Sequence, residues 1–125
     1  MIKKIEHIGI VVSNMDRSIH FYETVLGLSL RSRQFLNEQV ELAFLSYPNH
    51  SNVEIELISG KGEIEVEGKV NHLAFTVDNI EEEINRLNQL DVKMVDFEPR
   101  IVLKEHIKIA FFEGPDGEKL ELVER

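Results

Sequence analysis

The chain is written twice. Shifted by 65 positions, His7, Val12, Asn14, Ile19, Glu56 and Leu57 fall on His72, Val77, Asn79, Ile84, Glu121 and Leu122, each pair identical. Ile8 with Leu73, Ile10 with Phe75, Met15 with Ile80, Ile55 with Leu120 and Ile58 with Val123 keep apolar character at the same shift. A repeat of this kind restricts the fold to two copies of one supersecondary unit. The register slips only in the middle, where Ala43-Phe44-Leu45 matches Ala110-Phe111-Phe112 at a shift of 67, and a longer hairpin loop through Pro48, Asn49 and His50 is expected to absorb the difference.

Each copy reads as strand, helix, then three strands. Lys4 to Val12 is rich in β-branched residues, and Ser13-Asn14-Met15-Asp16 opens a helix with a capping side chain and an acidic first turn. Met15, Ile19, Tyr22 and Leu26 recur at helical spacing, and Gly27 is placed to end the helix in a left-handed conformation. Strands are expected over Leu28 to Gln34, Glu38 to Tyr47 and Val53 to Ser59. In the second copy the expected strands are Val70 to Val77, Lys93 to Phe97, His106 to Phe112 and Lys119 to Glu124. Its helix runs from Asn79 to about Leu90, preceded by Asp78 with Glu81 three residues on, and Pro115-Asp116-Gly117 forms a turn.

Strand alternation decides which side chains share a face. His7 lies with Gly9 and Val11, against Ile8, Ile10 and Val12, while His72 lies with Ala74 and Thr76, against Leu73, Phe75 and Val77. Glu56 and Glu121 likewise project from strands whose other face carries Ile55 and Leu57 or Leu120 and Leu122. A duplicated unit places its halves about a pseudo-two-fold axis, so His7, Glu56, His72 and Glu121 are expected to converge on one divalent cation. Two neutral imidazoles and two carboxylates suit a borderline ion such as nickel, zinc or cobalt, with iron and manganese also admitted.

Composition narrows the chemistry further. With no cysteine there is neither disulfide nor thiolate ligand, and 23 acidic against 14 basic residues repel polyphosphate and anionic lipid, so nucleic acid and membrane are not expected as partners. Glu63, Glu65, Glu67 and the run Glu81 to Glu83 read as solvated surface. The 125 residues suit one domain, no apolar run approaches the roughly 18 residues needed to cross a bilayer, and the strand pattern begins at once without a signal peptide, so a cytoplasmic location is expected.

The segments Glu6-His7-Ile8-Gly9-Ile10-Val11-Val12, Phe21-Tyr22, Leu26-Gly27-Leu28, Val53-Glu54-Ile55-Glu56-Leu57, Asn71-His72-Leu73-Ala74-Phe75, Ala110-Phe111-Phe112, Pro115-Asp116-Gly117 and Leu120-Glu121-Leu122 together resemble the vicinal oxygen chelate superfamily. That group contains glyoxalase I, methylmalonyl-CoA epimerase, extradiol dioxygenases, and fosfomycin and bleomycin resistance proteins, and the likeness runs through the whole chain. It implies an α+β fold of two tandem βαβββ modules, about 1–62 and 68–125, in a cupped, barrel-like, eight-stranded mixed sheet with helices outside. It also places His7, Glu56, His72 and Glu121 on the four metal positions of glyoxalase I-like members, with Glu121 and Glu56 as candidate bases and Glu121 preferred by analogy. Glu56 sets the chain apart from relatives with three protein ligands.

The implied reaction is a metal-dependent isomerisation of the hemithioacetal of methylglyoxal, or another α-oxoaldehyde, to a thioester. Epimerisation of a methylmalonyl-CoA-like acyl-CoA is the alternative, with Arg100, Lys104 and Lys108 available for CoA. A non-catalytic ligand-binding or resistance protein is the second. By analogy a homodimer is expected, acting on a small molecule. Surface roles are expected for His20, His50 and His106, an edge or solvent-facing position for Glu41, and core positions for Tyr22, Phe44, Phe111 and Phe112.

Overall fold

The computed structural model describes residues 3, 5–60, 71–102 and 107–125. Val70, Lys4, Glu63, Glu65, Glu67, Lys104 and His106 therefore lie outside the described residues. The chain divides into two units, Met1–Glu67 and Gly68–Arg125.

In the first unit, strand β1 (His7–Val11) leads into helix α1 (Met15–Thr24), followed by β2 (Ser29–Phe35), β3 (Val40–Tyr47) and β4 (His50–Gly60). The sheet order is β1-β4-β3-β2, with β1 parallel to β4 and the other neighbours antiparallel. Asn14 begins the helix because its extended backbone lets the side chain accept from the Arg17 N–H at 3.0 Å. Gly27, at φ +76°, turns the chain so that the N–H groups of Gly27 and Leu28 donate to the Glu23 and Tyr22 carbonyls. Met15, Ile19 and Tyr22 on the helix and Ala43, Leu45, Ile55 and Leu57 on the sheet are buried, so the helix covers the odd-numbered face of β3 and β4. The even-numbered residues Phe44, Glu54 and Glu56 take the opposite face.

The β3–β4 hairpin is tighter than the expected loop. Tyr47 pairs with His50, leaving Pro48 and Asn49 as the turn, and the two extra residues lengthen the strands with a register shift near Ser46. His50 is thus the exposed first residue of β4 and not a loop residue.

The second unit repeats the plan with β5 (Leu73–Thr76), helix α2 (Ile80–Gln89), β6 (Lys93–Met94), β7 (Arg100–Val102), β8 (Ile107–Glu113) and β9 (Lys119–Glu124). Its sheet order is β5-β9-β8-β6, with β5 parallel to β9 and β7 also paired to β8. Asn79, not Asp78, caps α2, accepting from the Glu82 N–H at 3.1 Å with backbone angles within a few degrees of those at Asn14. Ile80, Ile84 and Leu87 pack with Met94, Ala110, Phe112, Leu120 and Leu122 in the core. Asp91 takes the left-handed conformation, at φ 60°, that glycine supplies after α1.

The strand expected over Lys93 to Phe97 stops at Met94, and a second short strand, Arg100–Val102, pairs with the same β8 beyond the expected span. Val95 and Asp96 both donate backbone N–H groups to the Phe111 carbonyl, and the Asp96 carboxylate accepts from the Phe111 N–H at 2.9 Å. A side chain thus replaces a strand carbonyl. Pro99, which has no N–H to give, follows within the break before pairing resumes at Arg100. Counting β6 and β7 as one interrupted strand recovers four strands per module. The fold is α+β, and among the described residues it is a βαβββ module twice over, each with a mixed sheet and one helix. Among the described residues no helix is long and apolar enough to cross a membrane.

The matched caps give a matched expectation. Asn14→Ala and Asn79→Ala should each lower unfolding stability by about 1 kcal/mol, measured by urea denaturation. A loss at one cap and none at the other would contradict their equivalence.

Candidate metal centre

Parallel pairing aligns His7 with Glu54 and Gly9 with Glu56, so the imidazole and the Glu56 carboxylate lie on one face of adjacent strands. The His7 Nε2 stands 3.9 Å from Glu56 Oε1. In the second module Ala74 aligns with Glu121, and His72 Nε2 stands 3.6 Å from Glu121 Oε1. Each carboxylate is largely covered, with side chains 14% and 11% exposed, while the imidazoles are 39% and 34% exposed. The structure brings these residues together pairwise, one His–Glu pair in each module. Within each module no third His, Asp or Glu completes a metal-holding group among the described residues.

Both separations exceed an ordinary N–H···O hydrogen bond, which spans about 2.7–3.2 Å. They lie near the separation of two donors on one cation. With metal–ligand bonds of about 2.0–2.2 Å, tetrahedral ligands stand about 3.3–3.6 Å apart. The donors are imidazole and carboxylate without sulfur, which is chemistry that holds borderline divalent ions.

Phe44 is directly opposite Glu56 in the β3–β4 ladder, and Phe111 is opposite Glu121 in the β8–β9 ladder. Each ring meets its module's imidazole edge to face, with centroids 6.3 Å apart for His7 and Phe44 and 5.5 Å apart for His72 and Phe111. These two rings are only partly buried and share the His–Glu face, which corrects their expected place in the core; Tyr22 and Phe112 are fully buried as expected. The shift of 67 that relates Phe44 to Phe111 was the available signal. Strands with apolar residues on both faces conceal which face is the core.

Cations lie against the same rings. Arg31 sits 5.2 Å from the Phe44 centroid while donating to both oxygens of Glu54, at 2.5 and 2.8 Å. The hydrogen bond to Glu54 holds the Arg31 guanidinium above its usual pKa. Lys119 Nζ lies 4.4 Å and Arg100 5.9 Å from the Phe111 centroid. Arg31, Glu54 and Lys119 were not singled out by sequence reasoning.

The other sequence candidates are placed elsewhere. Arg100 donates to Asp96 at 2.8 Å. Lys108 projects to the helix side of its sheet, 3.0 Å from Glu81, an interaction that raises the lysine pKa and lowers that of the glutamate. Neither arrangement is a set of free cations for a CoA phosphate. Glu41 faces neither solvent nor the His–Glu side; Arg33 grips it through Nε and Nη2 at 2.6 and 3.2 Å and reaches Asp16 at 2.7 Å. His20 is exposed on α1.

Comparison with known proteins agrees with this architecture. Residues 6–122 match the family model described as the glyoxalase/bleomycin resistance protein/dioxygenase superfamily. The chain is 40% identical to the uncharacterized protein YwbC of Bacillus subtilis over the whole of both chains. It is 35% identical to the lactoylglutathione lyase of Salmonella typhimurium over 94% of this chain and 90% of that one. Among solved structures, the trypanothione-dependent glyoxalase I of Leishmania major superposes with a TM-score of 0.79 at 28% identity, covering 98% of this chain and 86% of that one. A duplicated βαβββ unit with a His–Glu pair on each sheet, matched along nearly its full length, identifies the chain as a member of the glyoxalase/bleomycin resistance protein/dioxygenase superfamily.

Proposed function

We propose that the protein is a metal-dependent glyoxalase I-like isomerase, with His7, Glu56, His72 and Glu121 as the four protein donors to one divalent cation. The observation that carries this reading is the repeated pair, an imidazole Nε2 facing a covered carboxylate at a distance too long for a hydrogen bond. With Nε2 unprotonated, each pair sets two acceptors face to face, an arrangement that positive charge between them relieves. The four residues would hold a divalent ion as a net neutral set, and the ion would supply Lewis-acid chemistry to the vicinal oxygens of a substrate.

The substrate in this reading is the hemithioacetal of an α-oxoaldehyde such as methylglyoxal and a thiol. A bound divalent cation supplies Lewis-acid polarisation of its two oxygens and stabilises the charge that develops when a carbon-bound proton is lost. Glu121 accepts the proton from the carbon that carries sulfur and hydroxyl, a carboxylate returns it to the neighbouring carbon, and the hydroxyl proton passes to the former carbonyl oxygen, giving the 2-hydroxy thioester with no net gain or loss of atoms. Glu56 is the second carboxylate able to make that transfer. Phe44 and Phe111 wall the two acids and limit water beside them.

Protein stripped with a chelator and reloaded with nickel, cobalt or zinc should convert methylglyoxal in the presence of glutathione or another low-molecular-weight thiol, and the stripped protein should not. Glu121→Gln and Glu56→Gln should each lower kcat by at least about a hundredfold with little change in the unfolding midpoint. Full activity in both variants contradicts the assignment. Retained ligand with no product favours sequestration, and turnover of methylmalonyl-CoA instead favours epimerisation.

A further inference from the structure

Each imidazole of the two pairs has a second neighbour one residue upstream. His7 Nδ1 lies 3.1 Å from Glu6 Oε1, and His72 Nδ1 lies 2.8 Å from Asn71 Oδ1. Glu6 and Asn71 are themselves related by the repeat, although they are different residue types. Both precede the regular strand, since β1 begins at His7 and β5 at Leu73, and this frees their side chains from strict alternation. The Glu6 carbonyl accepts from the Glu54 N–H at 3.0 Å, which ties its backbone to β4.

We infer that Glu6 and Asn71 are positioning residues that fix the Nδ1–H tautomer of His7 and His72 and so aim each Nε2 lone pair at the paired Glu56 or Glu121. A carboxylate only accepts, so the nitrogen facing Glu6 must be the one that carries hydrogen, and Nε2 is left unprotonated, with its lone pair on the side of Glu56. The Asn71 carbonyl oxygen makes the same demand of His72. A partner of this kind on the far ring nitrogen sets imidazole orientation and increases ligand basicity. The two modules differ in strength. Glu6 brings a full negative charge and Asn71 only an amide dipole, so His7 is the stronger ligand of the two.

The affinity consequence rests on the metal reading given above, whereas the tautomer assignment does not, and the test separates them. Long-range proton–nitrogen NMR on the full-length, chelator-treated chain should show His7 and His72 as Nδ1–H tautomers. Glu6→Ala and Asn71→Ala should move the corresponding ring toward the Nε2–H form, with Glu6→Gln, which keeps an acceptor, restoring Nδ1–H. In parallel, zinc titration against a competing chelator should show Glu6→Ala weakening binding by about ten- to a hundredfold, Glu6→Gln by less, and Asn71→Asp tightening it. Wild-type rings in the Nε2–H form, or tautomers unmoved by the alanine variants, overturn the inference. The expected tautomers in a wild-type protein that binds no zinc uphold the positioning role and defeat the metal reading instead.

Discussion

Parallel pairing of the first strand of each module with its last is the constraint on which the candidate site depends. Residues far apart in sequence, His7 and Glu56 or His72 and Glu121, become neighbours only because β1 lies beside β4 and β5 beside β9 in one particular register. The register is held by burial. Leu57 and Leu122 flank the two glutamates in sequence and are almost wholly buried on the helix side, so a slip of one residue would expose them and drive the carboxylates into the core. The apolar face and the polar face are two consequences of the same alternation.

The duplication extends past the His–Glu pairs into their surroundings. In both modules an aromatic ring stands opposite the glutamate and edge-on to the imidazole, a cation rests against that ring, and a polar side chain holds the far nitrogen of the imidazole. The details have diverged: Glu54 is matched in the repeat by Lys119, Glu6 by Asn71, and Gly9 by Ala74. A Cβ at Gly9 would come within 3.5 Å of Glu56 Oε1, so the first module leaves slightly more room beside its carboxylate than the second, where Ala74 supplies that carbon. Similar scaffolds thus carry unlike side chains around their His–Glu pairs.

Much of this was legible in the sequence because the signals were local and written twice. Asn14 marked the first helix start, Asp78 placed the second one residue early, Gly27 marked the first helix end, and the parity of His7, Glu56, His72 and Glu121 against their apolar neighbours gave the polar faces. The misreadings share one cause, which is dependence on contacts distant in sequence. The break between β6 and β7 follows from Asp96 capturing the Phe111 N–H, and no local pattern around Lys93 reveals that partner. The apolar residues on both faces of β3 and β8 hide from the sequence that Phe44 and Phe111 lie off the core face. Arg31 reaches the His–Glu face through the irregularity between Leu30 and Ser32, where the alternation used to assign faces breaks down.

The central claim is that the two pairs act as one set of four donors. Metal stoichiometry, measured by elemental analysis after zinc or nickel loading, tests it most directly when His7→Ala and His72→Ala are compared with the unaltered chain. One ion per set of four residues, abolished by either substitution alone, is the predicted result. Two ions per set, or half the metal retained in each variant, would mean that the pairs bind separately and would contradict the account.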